Sequence, residues 1–200
     1  MTSHSVPQRY AALSITLHWL MLALFVGVYG CIELKGWLPR QHPLKGPLLG
    51  THALFGLAIF TLVWVRLLSR LQKRPPISPR PPAWQTALAH LTHLSLYALM
   101  ILTPLLGWLM LSAAGKPIPY FAFTLPSPIA IDPDMAKQLK YWHEWLGTAG
   151  YWLIGLHACA GVFHHYWMRD NTLTRMLPER FLTWRQATES RQGPANRHQP

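Results

Sequence analysis

Four times along this chain, 18 or more consecutive residues pass without a Lys, Arg, Asp or Glu: Leu13–Ile32, Leu48–Val65, Pro81–Gly115 and Trp145–Met168. A bilayer core of about 30 Å is crossed by roughly 20 helical residues at about 1.5 Å each, so every one of these stretches is long enough to span it. The spacing predicts spans at about 13–32, 48–68, 84–111 and 140–168. Pro104 falls inside the third, where a membrane helix tolerates the lost backbone bond. The prolines from Pro75 to Pro82 make a stiff basic connector that no helix can cross.

Composition fits this reading. Half of the 200 residues are hydrophobic and only 12% are charged, about half the charged share of an ordinary soluble domain. The modest mean hydropathy of +0.13 reflects polar ends that dilute the apolar middle. Ten Trp, seven Tyr and seven Phe argue against a disordered chain. The formal charge of +11 could suggest nucleic acid, but the basic residues sit between spans and that class is set aside. With no repeat and no Gly/Ser linker, residues 1–180 read as one all-α, four-helix transmembrane domain. Residues 181–200 read as a basic, disordered tail.

Lys and Arg set the expected orientation. The side holding both termini carries twelve of them, including Arg66, Arg70, Lys73, Arg74 and Arg80 around the middle loop. The other side carries six: Lys35, Arg40, Lys45, Lys116, Lys137 and Lys140. Both termini of this multi-pass chain are therefore expected in the cytoplasm.

Eight of the eleven histidines lie in or at the ends of spans: His18, His52, His90, His93, His143, His157, His164 and His165. An ionisable side chain inside a bilayer is costly and points to function. One such residue could be a helix-to-helix hydrogen bond; eight exceed that explanation. His143 and His157 are 14 residues apart, so they share a face of the fourth helix about 21 Å apart along its axis. The first helix brings His18 to the inner depth of His157, and the second brings His52 to the outer depth of His143. Paired histidines from facing helices at two depths are what two bis-histidine haems require. Gly56, Gly147 and Gly161 each follow a histidine by four residues, opening the same face for a flat macrocycle; His18 has Leu22 there instead.

Other centres fit less well. Zinc wants three or four ligands at one depth, and Glu144 points away from its neighbour His143. No Cys-x-x-Cys-His is present, so covalent haem attachment is excluded. Spacing alone leaves the inner pairing open, because His90 and His93 lie at the depth of His18 and His157.

The segments Ile15-Thr16-Leu17-His18-Trp19, Thr51-His52-Ala53-Leu54-Phe55-Gly56, Leu88-Ala89-His90-Leu91-Thr92-His93-Leu94, Trp142-His143-Glu144, Gly155-Leu156-His157-Ala158 and His164-His165-Tyr166 resemble the bacterial cytochrome b561 family. So does the tail Asp170-Asn171-Thr172-Leu173-Thr174-Arg175-Met176-Leu177-Pro178. The resemblance covers about residues 8–180 and is strongest to the superoxide oxidase branch, which are superoxide:ubiquinone oxidoreductases. It implies two haem b groups, His18 paired with His157 and His52 with His143, leaving His90 and His93 as non-ligands. It also implies an inner-leaflet ubiquinone region that includes His164, to which Arg66 and Tyr166 are added as candidates. The expected activity is oxidation of periplasmic superoxide and reduction of ubiquinone, with His164 supplying a proton.

A second class of function is an electron-carrier subunit joining a partner dehydrogenase or hydrogenase to the quinone pool. The apolar stretch Ile118–Ile131 in the long outer loop is its candidate docking site, although capping of the outer haem is the favoured role for that loop. A haem-free transporter has little support, since the spans show no half-helix breaks.

Overall fold

The computed structural model describes residues 9–71, 75–120 and 123–178; the tail expected to be disordered lies outside them. Four long helices make up most of what is described: α1 (Ala12–Trp37), α2 (Lys45–Ser69), α3 (Ala83–Ala113) and α4 (Pro133–Tyr166). All four are long and apolar enough to cross a membrane. α1, α2 and α4 reach beyond their charge-free stretches because polar and charged residues finish their end turns, whereas α3 stays within Pro81–Gly115. α4 gains most: the Asp132 side chain accepts from the backbone N–H groups of Asp134 and Met135, both at 3.0 Å, and Pro133 opens the helix. That is a capped start seven residues ahead of the expected one. Pro47 costs α2 little because the first turn of a helix has no internal donors to lose. α3 continues through Pro104 as one element.

α1 packs on α2 and α3 on α4, and α2 joins the two hairpins by lying against α3. Met21, Ile59, Val63, Tyr97 and Met100 form a small buried core shared by α1, α2 and α3. Large apolar side chains such as Trp64, Leu68, Leu91, Leu94, Trp152 and Leu156 instead point outward, as helices solvated by lipid require.

Two features close the ends of the bundle. At the outer end, β1 (Ile118–Tyr120) pairs antiparallel with β2 (Phe123–Leu125), with Ile118 opposite Leu125. β1 lies against α2 and α3, and the Tyr120 hydroxyl shares a 3.0 Å hydrogen bond with Thr61. Thr61 is nine residues from His52, half a turn out of phase, so this contact lies on the opposite face of α2 from His52. At the inner end, residues 170–177 tie three parts of the chain together. The Trp19 indole donates to the Met176 carbonyl at 2.8 Å, and the Tyr10 N–H to that of Arg175 at 3.4 Å. Asn171 accepts from the Ser78 N–H at 3.0 Å, and Arg175 donates to the Pro75 carbonyl.

Candidate haem site

α2 and α4 bring His52 and His143 together with ring centres 6.0 Å apart and planes at 77°. His52 Nδ1 lies 3.0 Å from the Val28 carbonyl, and His143 Nδ1 lies 2.8 Å from that of Thr103. A carbonyl only accepts, so both Nδ1 atoms carry the proton and both Nε2 atoms keep a lone pair for a metal. Gly107 gives His143 its room: a Cβ there would stand 3.1 Å from the imidazole Cε1.

α1 and α4 bring His18 and His157 together at 6.3 Å and 72°. Both separations leave room for one metal ion between the two rings, so these four histidines are the ones that would hold it. His93 approaches His157 more closely, at 5.5 Å, while His90 is exposed. His18 differs from the outer ligands in its support. Its Nδ1 meets Arg66 Nη2 at 3.1 Å, and arginine has only donors, so this nitrogen accepts. Arg66, a candidate for the quinone region, thus stands directly on a candidate ligand.

A macrocycle also needs room. Gly147 and Gly161, each four residues after a histidine on α4, face open space within 4 Å of where a Cβ would lie; Gly56 on α2 meets only Pro104 Cβ, at 4.0 Å. Each pair therefore has open volume on its own helix face. His52 and His143, with their second nitrogens bonded to carbonyls beside open glycine faces, suit a haem held by two histidines; His18, whose Nδ1 accepts from Arg66, carries its proton on Nε2 and would offer that nitrogen to a metal only once the Arg66 contact is given up.

Below the inner pair, His164 Nδ1 meets Asp170 Oδ2 at 2.6 Å. Asp170 is 8% exposed, and burial alone would raise its carboxyl. Hydrogen bonds from His164 and Thr172 outweigh that and hold it below the ordinary carboxylate range. The carboxylate accepts from Nδ1, leaving His164 Nε2 available to another partner. Tyr166 is exposed at the end of α4, its ring 4.9 Å from that of His165. Asp170 escaped the sequence reading as a site residue although it opens the tail motif: its carboxylate comes back onto α4 only through the turn after Tyr166.

A helical membrane bundle with paired histidines in its interior belongs to the class of haem-binding electron carriers. A sequence model of the prokaryotic cytochrome b561 family matches residues 9–179. The chain is 36% identical over 174 residues to a protein named probable superoxide oxidase CybB from Yersinia pestis, covering 86% of this chain and 98% of that one. It is 35% identical over 173 residues to cytochrome b561 homolog 1 of Escherichia coli K12, with the same coverage, and 31% over 189 residues to homolog 2 (88% and 95%). The chain belongs to the prokaryotic cytochrome b561 family. It is a multi-pass membrane electron-transfer protein and an oxidoreductase of the haem b-binding type.

Proposed function

We propose that this protein oxidises superoxide at the outer face of the bacterial inner membrane and reduces ubiquinone at the inner leaflet, with both termini in the cytoplasm. The observation that carries the reading is the presence of two histidine pairs at two depths, with ring centres 6.3 and 6.0 Å apart. In this reading His52 with His143 and His18 with His157 hold two haem b groups. Haem so ligated supplies one-electron transfer without an open iron site. Everything else falls to the chain's own side chains.

Superoxide is an anion, and cations near the outer pair raise its encounter rate. Two of the six outer cations are engaged: Lys137 with Asp134 at 2.9 Å and Lys140 with Glu144 at 3.5 Å. Lys35, in the last turn of α1, acts electrostatically on His52 and is the steering charge to be tested. At the inner end His164 in its imidazolium form gives the Nε2 proton to reduced ubiquinone and is left as the neutral Nδ1–H tautomer, which the Asp170 carboxylate holds. Arg66 and Tyr166 complete the quinone region, Arg66 linking it to the inner pair through His18.

The test is to mix oxidised, purified protein anaerobically with superoxide and ubiquinone and follow the haem bands and ubiquinol. Rapid haem reduction followed by ubiquinol formation is expected. Haem that stays oxidised under superoxide, while a co-purifying dehydrogenase or hydrogenase reduces it, would move the protein to the carrier class.

A further inference from the structure

α4 is 34 residues long, and the one residue it buries is Gly150. His143, Gly150 and His157 are spaced by seven and seven, so they share one helix face, with Gly150 about 10.5 Å from each ligand level. α1 supplies what fills this midpoint. His18, Phe25 and Tyr29 follow one another at seven and four residues and share a face of α1. Helical side chains lean toward their own N-terminus. The Tyr29 ring therefore drops from the level of Val28, whose carbonyl supports His52, toward the middle of the bundle. Its hydroxyl donates to the Gly147 carbonyl at 2.9 Å. Its ring lies 6.3 Å from Phe25, nearly parallel at 20°, and 4.2 Å from Tyr151. A Cβ on Gly150 would collide with the Tyr29 hydroxyl and stand 3.1 Å from Leu99 Cδ2. Along α4 the i+4 glycines beside both ligands face open space, whereas Gly150 between them is closed off by a tyrosine.

We propose that Tyr29, seated on Gly150 and backed by Phe25, is the bridge through which electrons pass between the two haem levels; this rests on the di-haem reading. Electronic coupling decays steeply across empty or water-filled space and less steeply through packed atoms. A ring wedged at the midpoint shortens the gap that must be crossed through space and keeps water out of it. The electron passes without residing on the phenol, so the ring is neither oxidised nor deprotonated and no further reactant enters. The hydroxyl serves to seat the ring.

The experiment uses the full-length, haem-loaded protein with Tyr29→Phe, Tyr29→Leu and Gly150→Ala. Haem per chain is counted as the pyridine haemochrome. Electron redistribution between the haems is followed after flash reduction from the outer side, with the α bands assigned through His52→Ala and His157→Ala. Tyr29→Phe should equilibrate like the wild type. Tyr29→Leu, which removes the ring, and Gly150→Ala, which displaces it, should be slower by about tenfold while keeping two haems. A Tyr29→Leu protein with two haems and an unchanged rate overturns the proposal. So does one that loses a haem, because the ring would then be a scaffold and not a bridge. Fewer than two haems in the wild type would sink the di-haem reading itself, a failure distinct from either of these.

Discussion

At the scale of single residues, the chemistry rests on which nitrogen or oxygen carries a proton. Carbonyls fix this for His52 and His143, and a carboxylate fixes it for His164. Replacing Asp170 with Asn keeps the shape of that contact but removes the charge that selects the tautomer. Ubiquinone reduction by Asp170→Asn should fall by roughly a hundredfold, the range in which positioned acids and bases act, while haem reduction by superoxide is unchanged. An equal loss in both half-reactions would contradict the assigned role. The same carboxyl ties stability to pH. Its folded-state pKa lies below that of the unfolded chain, so its contribution is present at neutral pH and is lost as pH falls through the folded value. The thermal-stability gap between wild type and Asp170→Asn should stay constant from pH 7 to about 4, the ordinary aspartate range, and close only in more acidic buffer. At the outer face, Lys35→Gln should slow superoxide-driven haem reduction by about two- to fivefold at low salt, with the difference fading as salt is raised.

At the scale of elements, the four spans were legible because lipid imposes a simple requirement: about 20 residues without charge. Their ends were less so, since the Asp132 cap and the last polar turns owe nothing to that requirement. The 14-residue spacing on α4 and the helix directions placed histidines at two depths but left the inner pairing open among His18, His90 and His93, and the contacts that support these rings could not be read at all. Val28 and Thr103 act through backbone carbonyls that no side chain marks, and Arg66 meets His18 only through tertiary packing. Gly150 was within reach of arithmetic, lying seven residues from each α4 ligand, yet it becomes informative only when Tyr29 is seen to fill it. The inner strap of residues 170–177 is the clearest case of a motif whose purpose is invisible in one dimension. Arg175, 6% exposed, bonds the Pro75 carbonyl and lies 5.5 Å from the Tyr10 ring centre. Removing a charged donor from such a buried hydrogen bond costs about 1.5–3 kcal/mol. Arg175→Ala should therefore free the α2–α3 connector, and limited trypsinolysis after Lys73 should be markedly faster than in wild type. Identical digestion rates would show that the strap does not secure the connector.

At the scale of the whole molecule, the proposed function joins the charge asymmetry and the two depths of the histidine pairs into one vectorial device, with anion entry on one face and proton and quinone chemistry on the other. Reporter fusions at either terminus should behave as cytoplasmic, and one placed in the loop between Gly115 and Asp132 as periplasmic; the opposite pattern would invert the proposed direction of electron flow. All of this depends on the histidine pairs holding two cofactors separately. Pyridine-haemochrome stoichiometry of the purified wild type beside His52→Ala and His157→Ala tests that most directly. Two haems in the wild type and one in each variant is the expected result, and a wild type with one haem, or variants that both keep two, would contradict it.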